Sequence, residues 1–254
     1  MQIPRADCGS FDARIARRTQ ELLSRRVIEE PLKKPAESIC GMDVSYSRPS
    51  QSTGGRGQWA GTGAAVVLSY PDLKLLEVET VKKKVILPYI STFLAFREMP
   101  YLAALFSKLR ERPDVYLING HGIYHPAFFG AASHFGVVFG VASIGVAGRP
   151  IHLQGEVLVG NEVVLGGRRL ARIVKPGAFG RRRRNQDQAG ESETGVSSKA
   201  MYVSVGNRIT LDQASEIVSK CIKDHRMPEP LFLADSISRE QVARGHFANV
   251  GNKK

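Results

Sequence analysis

Three β-type runs in close succession near the start of the chain constrain its fold more than any other feature. Ser38 to Tyr46, Gly61 to Tyr70 and Lys74 to Ile86 are rich in β-branched and apolar residues. A Gly/Ser-rich stretch, Arg48 to Gly57, separates the first two, and the turn Tyr70-Pro71-Asp72-Leu73 separates the second from the third. Two short connections in a row predict an antiparallel three-strand meander. The pattern then alternates. Thr92 to Leu109 places Phe93, Phe96, Leu102, Leu105, Phe106 and Leu109 at helical spacing, with Pro100 expected to kink or restart the helix. Asp114 to Ile118 and Ala142 to Ala147 read as short buried strands on either side of a small-residue helix, Ala131 to Phe139. Together these elements predict a mixed α/β sheet.

At the N-terminal end, Phe11, Ile15, Leu22, Leu23 and Val27 recur at helical spacing among Arg14, Arg17, Arg18, Arg25 and Arg26. This predicts an amphipathic helix with a basic outer face. Glu156 to Val174 is β-like again, and Met201 to Val205 reads as a strand. Ile209 to Asp224 and Leu231 to Arg244 read as closing helices, the first capped by Thr210. Gly177 to Lys199 is polar and carries Arg181 to Arg184, so a flexible basic surface loop is expected within a single domain spanning 1–254.

Lys and Arg number 36 against 24 Asp and Glu, a net charge of +12, which points to a polyanionic partner. Nucleic acid ranks ahead of an anionic membrane surface. Cys8, Cys40 and Cys221 are widely spaced and lack CxxC pairing, which argues against a disulfide framework or a structural zinc site. Met1 to Phe11 lacks the apolar centre of a secretory signal, and no apolar run is long enough to cross a bilayer. A cytoplasmic protein without a membrane partner is expected, as a monomer.

Acidic residues in apolar surroundings are the chemical signal. Asp43 lies inside Ile39 to Val44, Glu98 inside Phe96 to Pro100, and Asp235 inside Leu233 to Ser236. Taken singly they read as a solvent-facing strand end, a surface glutamate paired with Arg97 or Arg110, and a helix N-cap. Taken together they suit a hard divalent cation, Mg²⁺ with Mn²⁺ as the alternative, in phosphodiester hydrolysis. The loop Asn119 to Pro126 sets Gly120 and Gly122 around His121 and carries His125, with His134 close behind. Backbone N–H groups there could hold a base or a phosphate, and the histidines lack zinc spacing. Pro88-Tyr89-Ile90 presents an aromatic at a chain reversal, either a wedge for a base stack or a core residue closing the sheet.

These segments occur in one order: Gly41 to Tyr46, Pro88-Tyr89-Ile90, Phe96-Arg97-Glu98, Asn119-Gly120-His121-Gly122, His125-Pro126, Gly130 to Val137, Ile144 to Ala147, Met227 to Pro230 and Leu233-Ala234-Asp235. In that order they resemble the endonuclease V family, which nicks nucleic acid near deaminated adenine. The resemblance implies a ribonuclease H-like fold: a mixed five-stranded sheet flanked by helices, with added C-terminal strands and helices. It implies that the first and fourth strands run parallel, bringing Asp43 beside position 119. Glu98 would arrive from the first sheet-packing helix and Asp235 from the closing one. The implied catalytic and metal-binding set is Asp43, Glu98, Asn119 and Asp235. The implied lesion-binding set is Pro88, Tyr89, Ile90, Gly120, His121, Gly122 and His125. The implied activity is Mg²⁺-dependent cleavage on the 3′ side of inosine, as DNA repair, with DNA or RNA as the partner.

Four positions depart from the family pattern. Asn119 stands where the family has Asp, Ala127 where Arg follows His-Pro, Gly148 where Lys follows Gly-Val-Ala, and Ser91 where the wedge has a second proline. Loss of one carboxylate predicts weaker Mg²⁺ binding, and loss of the lysine removes a cation near the phosphate, with Arg149 as its nearest replacement in sequence. Two readings follow. One is a slow but active endonuclease; the other is a pseudo-nuclease that binds damaged DNA or inosine-containing RNA without cutting. A third, outside the family, is an RNA-holding scaffold working through Arg181 to Arg184.

Overall fold

A computed structural model describes residues 11–47, 59–176 and 200–248, with side chains through residue 242. The stretches Arg48 to Gly57 and Gly177 to Lys199, including Arg181 to Arg184, lie outside the described residues. The elements run α1 (Ala13–Ser24), β1 (Ser38–Ser47), β2 (Ala60–Ser69), β3 (Leu75–Lys84), α2 (Leu94–Lys108), β4 (Val115–Asn119), α3 (Ala131–Phe139) and β5 (Ser143–Ala147). There follow β6 (Val157–Val159), β7 (Glu162–Leu165), β8 (Arg168–Val174), β9 (Met201–Asn207), α4 (Leu211–Lys220) and α5 (Glu229–Ala248). Among the described residues no helix is long and apolar enough to cross a membrane.

The expected meander forms: β1 pairs antiparallel with β2, and β2 with β3. β4 then pairs parallel with β1, and β5 parallel with β4. The C-terminal strands do not build a separate layer. They extend the same sheet, giving the order β3-β2-β1-β4-β5-β9-β8-β7-β6. Alternation along the strands splits the core in two. Ile39, Leu117, Ile144 and Val203 face α4 and α5, where they meet Ile217, Leu231 and Ala234. Cys40, Met42, Tyr116 and Ile118 face α2 and α3, where they meet Leu102, Leu105 and Phe135.

Two local expectations are corrected. α1 does not dock through Ile15 and Leu22, which are 67% and 47% exposed; Ala16 and Gln20 face inward instead. Its inner face is set by hydrogen bonding rather than by apolar area. Gln20 Nε2 donates to the carbonyls of Thr92 and Phe129 at 2.9 and 3.3 Å, and Arg17 donates to Thr92 Oγ1 at 3.0 Å. The basic outer face therefore loses Arg17 to the interior contact. The second correction concerns Pro100, which does not restart α2: the helix runs as one element from Leu94 to Lys108. Tyr101, Leu102 and Leu105 beyond it are buried against the sheet, and that packing outweighs the missing N–H. Thr210 caps α4 as expected, accepting from the Gln213 N–H.

Candidate active site

Parallel pairing of β1 with β4 matches Met42 to Ile118, so the next residues on each strand, Asp43 and Asn119, stand side by side. Asn119 Nδ2 donates to Asp43 Oδ1 at 2.6 Å. A close helix approach completes the arrangement. A Cβ on Gly41 would lie 2.2 Å from the carbonyl carbon of Pro230, so only glycine lets the first turn of α5 rest on β1. Two turns along, Ser238 is buried and its hydroxyl donates to Asp43 Oδ2 at 2.9 Å, with Ser45 Oγ 2.8 Å behind it. Asp43 is thus gripped from both sides.

The other two acids feel the charge of Asp43. Glu98 is buried on α2, and burial followed by the Asp43 carboxylate pushes it well above the usual carboxylate range, with Arg97 opposing. The Arg97 guanidinium lies 3.9 Å from the centre of the Tyr46 ring, which in turn meets Tyr101 edge-on at 6.0 Å. Asp235 is also raised, first by burial and then by Asp43, while Arg239 opposes through a 2.8 Å ion pair. Glu98 therefore does not pair with Arg110, which instead bonds Glu77. Nor does Asp235 cap a helix, since it lies inside α5.

Ser238, Ser45 and Tyr46 are the residues that reading the sequence missed, and Arg97 was expected only as a surface partner of Glu98. Ser238 had a usable signal, because it follows Asp235 by three residues and so shares its helix face.

The glycine-histidine loop sits beside the same strand ends, and its backbone is largely committed. Gly120 N donates to Val146 O at 3.0 Å and Gly122 N to Ser204 Oγ at 2.8 Å. A Cβ on Gly122 would lie 1.9 Å from Val205 O, so this glycine admits a neighbouring strand rather than a ligand. That corrects the expected use of these two N–H groups. His125 Nε2 donates to Thr92 O at 3.0 Å, and its Nδ1 accepts from Ala127 N at 3.2 Å. This bond ties the loop to the turn that follows Pro88-Tyr89-Ile90. Thr92 holds a left-handed φ of 68°, fixed by Arg17, Gln20 and His125 together. Tyr89 itself is 64% exposed, which excludes the core-aromatic reading. His121 packs edge-on to Tyr124, and His134 meets Phe96 and Phe129. Burial brings all three histidines down to about 4.

The family model described as Endonuclease V matches residues 21–236. The chain belongs to the endonuclease V family. Solved endonuclease V structures match it along nearly their whole length. The Streptomyces avermitilis enzyme is 28% identical, with 93% of this chain and 95% of that one covered and a TM-score of 0.74. The catalytic domain of the human enzyme is 27% identical, with 91% and 96% covered and a TM-score of 0.74. The Ciona intestinalis enzyme, solved with a 24mer DNA containing an inosine followed by a ribo-adenosine, is 29% identical, with 92% and 99% covered and a TM-score of 0.73.

The acids at the strand ends can be tested for fit to a metal ion by their donor chemistry. Mutual repulsion between Asp43 and both Glu98 and Asp235 is what a hard divalent cation would relieve, so the donor chemistry suits Mg²⁺. Among the described residues no three His, Cys, Asp or Glu side chains already form a metal cage. Asn119 turns its nitrogen to Asp43, and Arg239 holds Asp235 Oδ1. Of the remaining departures, Ala127 is buried beside His125, Ser91 is exposed ahead of Thr92, and Gly148 is exposed just past β5, followed by the exposed Arg149.

Proposed function

We propose that this protein is a Mg²⁺-dependent endonuclease, with Mn²⁺ able to substitute, that cuts nucleic acid containing deaminated adenine on the 3′ side of the inosine. Its role would be DNA repair. The observation that carries this reading is the electrostatic coupling of Glu98 and Asp235 through Asp43. The inosine-containing DNA bound to the Ciona relative supports the substrate class. Asp43 and Glu98 would hold the cation, joined by Asp235 and by the Asn119 amide oxygen after that side chain turns over. When bound, the ion supplies Lewis acidity that polarises the scissile phosphodiester. Ser238 fixes the rotamer of Asp43, and Arg97 keeps a cation beside Glu98. Tyr89 is the exposed aromatic that would enter the base stack, with Pro88 and Ile90 bracing it. Gly120, Gly122, His121 and His125 would shape the lesion pocket from behind.

The test is cleavage of inosine-containing DNA and RNA oligonucleotides in Mg²⁺, Mn²⁺ or EDTA, with Asp43→Ala as the control. Metal-dependent nicking 3′ to the lesion, abolished in the control, is expected. A second reading has a specific observation behind it: the Asn119–Asp43 hydrogen bond and the Asp235–Arg239 pair satisfy the acids without a metal. Lesion-selective binding with no nicking in either cation would favour that pseudo-nuclease.

A further inference from the structure

Gly148 follows β5 at the end of the sheet where Asp43 and Asn119 stand, two residues beyond Val146, the register partner of Asn119. Ile144 and Val146 face the α4/α5 side, and the side-chain direction at Gly148 continues that alternation. The direction is not empty. A Cβ built on Gly148 would lie 3.2 Å from a terminal nitrogen of Arg226, which donates to Gly148 O at 2.9 Å and to Ala200 O at 3.3 Å. Arg226 therefore delivers a guanidinium to the place from which a longer residue at 148 would project, although it comes from the connection between α4 and α5.

That connection is anchored at both ends. Ile222 bridges to Pro228, Glu229 N donates to Cys221 O at 2.7 Å, and His225 stacks on Phe232 at 3.5 Å. Arg226 is nevertheless exposed. Arg110, Arg168, Arg169, Arg172 and Arg239 are paired with carboxylates, whereas Arg226 has no ion pair among the described residues. Both of its hydrogen bonds use Nη2, which leaves Nη1 and Nε uncommitted among the described residues. A guanidinium held at the sheet end that carries Asp43 and Asn119, with no carboxylate partner among the described residues, has the charge and the free donors to contact a phosphodiester.

We propose that Arg226 is a substrate-binding residue that contacts a backbone phosphate of the nucleic acid and supplies the cation that Gly148 lacks. The proposal rests on the nucleic-acid reading above, and its test separates the two. Equilibrium binding is measured across a range of salt, in EDTA, on an inosine-containing duplex and on the same duplex without inosine. The proteins are the wild type, Arg226→Gln, Arg226→Lys, and Arg226→Gln combined with Gly148→Lys.

Arg226→Gln keeps a donor for the two carbonyls but loses the charge. It should bind about tenfold more weakly, the scale of one charge-assisted hydrogen bond. The slope of log K against log salt should flatten by about 0.9, as for one lost phosphate contact. Arg226→Lys should keep the slope, and the added Gly148→Lys should restore it. Unchanged affinity and slope in Arg226→Gln would overturn the proposal. So would an equal loss in Arg226→Gln and Arg226→Lys at unchanged slope, which would mark a carbonyl clamp only. If both duplexes bind alike, the lesion reading fails while the comparison of Arg226 variants still decides the phosphate contact.

Discussion

The amide nitrogen of Asn119 lies 2.6 Å from a carboxylate oxygen of Asp43, a hydrogen bond made between the ends of two adjacent parallel strands. An aspartate at 119 would set two like charges against each other at this distance. The asparagine replaces that repulsion with an attraction and leaves the proposed metal-binding set one negative charge smaller.

Asn119→Asp should therefore move two quantities in opposite directions. Losing a hydrogen bond to a charged group is worth about 1.5–3 kcal/mol, so the melting temperature without divalent cation should fall by roughly 3–12 °C. Metal-dependent cleavage should rise. Thermal melts with and without Mg²⁺, alongside nicking assays, check both. Unchanged cleavage would show that the missing carboxylate is not limiting.

Ser238→Ala should lower stability by about 1–3 kcal/mol, because one oxygen of a buried carboxylate loses its donor. It should also slow cleavage, since Asp43 becomes free to rotate. Urea denaturation and single-turnover rates report the two effects separately.

Gly41→Ala tests the seat of α5. The new methyl would lie 2.2 Å from the Pro230 backbone, which cannot yield as a side chain would. A loss of about 3 kcal/mol or more is expected, seen as a lowered denaturation midpoint or as failure to accumulate folded protein.

Stability should fall on acidification between about pH 6.5 and pH 4. Burial holds His125 and His134 down to about 4 in the folded chain, so over this window the unfolded state takes up protons that the folded state refuses. Above the window both states are neutral at these groups and no penalty remains. Replacing His134 by Phe should flatten the dependence of unfolding free energy on pH by about 1.4 kcal/mol per pH unit within the window. Denaturation midpoints at half-unit pH intervals would measure it.

Tyr89→Ala should leave stability within about 0.5 kcal/mol of wild type, because the ring is mostly in solvent. Preference for an inosine duplex over an undamaged one should drop by about tenfold, the loss of one stacked base. Competition binding reads this directly.

Much of this protein was set locally. The runs rich in β-branched and apolar residues marked β1 to β3, their short connections marked the antiparallel order, and Ala131 to Phe139 formed the predicted helix, because propensity and turn signals act over a few residues. The order of acidic and glycine-bearing segments also carried the family resemblance, which residues 21–236 uphold. What the tertiary structure decided were contacts between residues far apart along the chain. Gln20 rather than Ile15 turns inward because the Thr92 and Phe129 carbonyls need a donor, and those come from segments that nothing local in α1 encodes. The loop glycines spend their freedom on neighbouring strands for the same reason. Ser238 reaches Asp43 across 195 residues, and Arg226 reaches Gly148 across 78. Side-chain spacing along one element cannot reveal such pairs, since they depend on where α5 crosses β1 and where the chain turns before it.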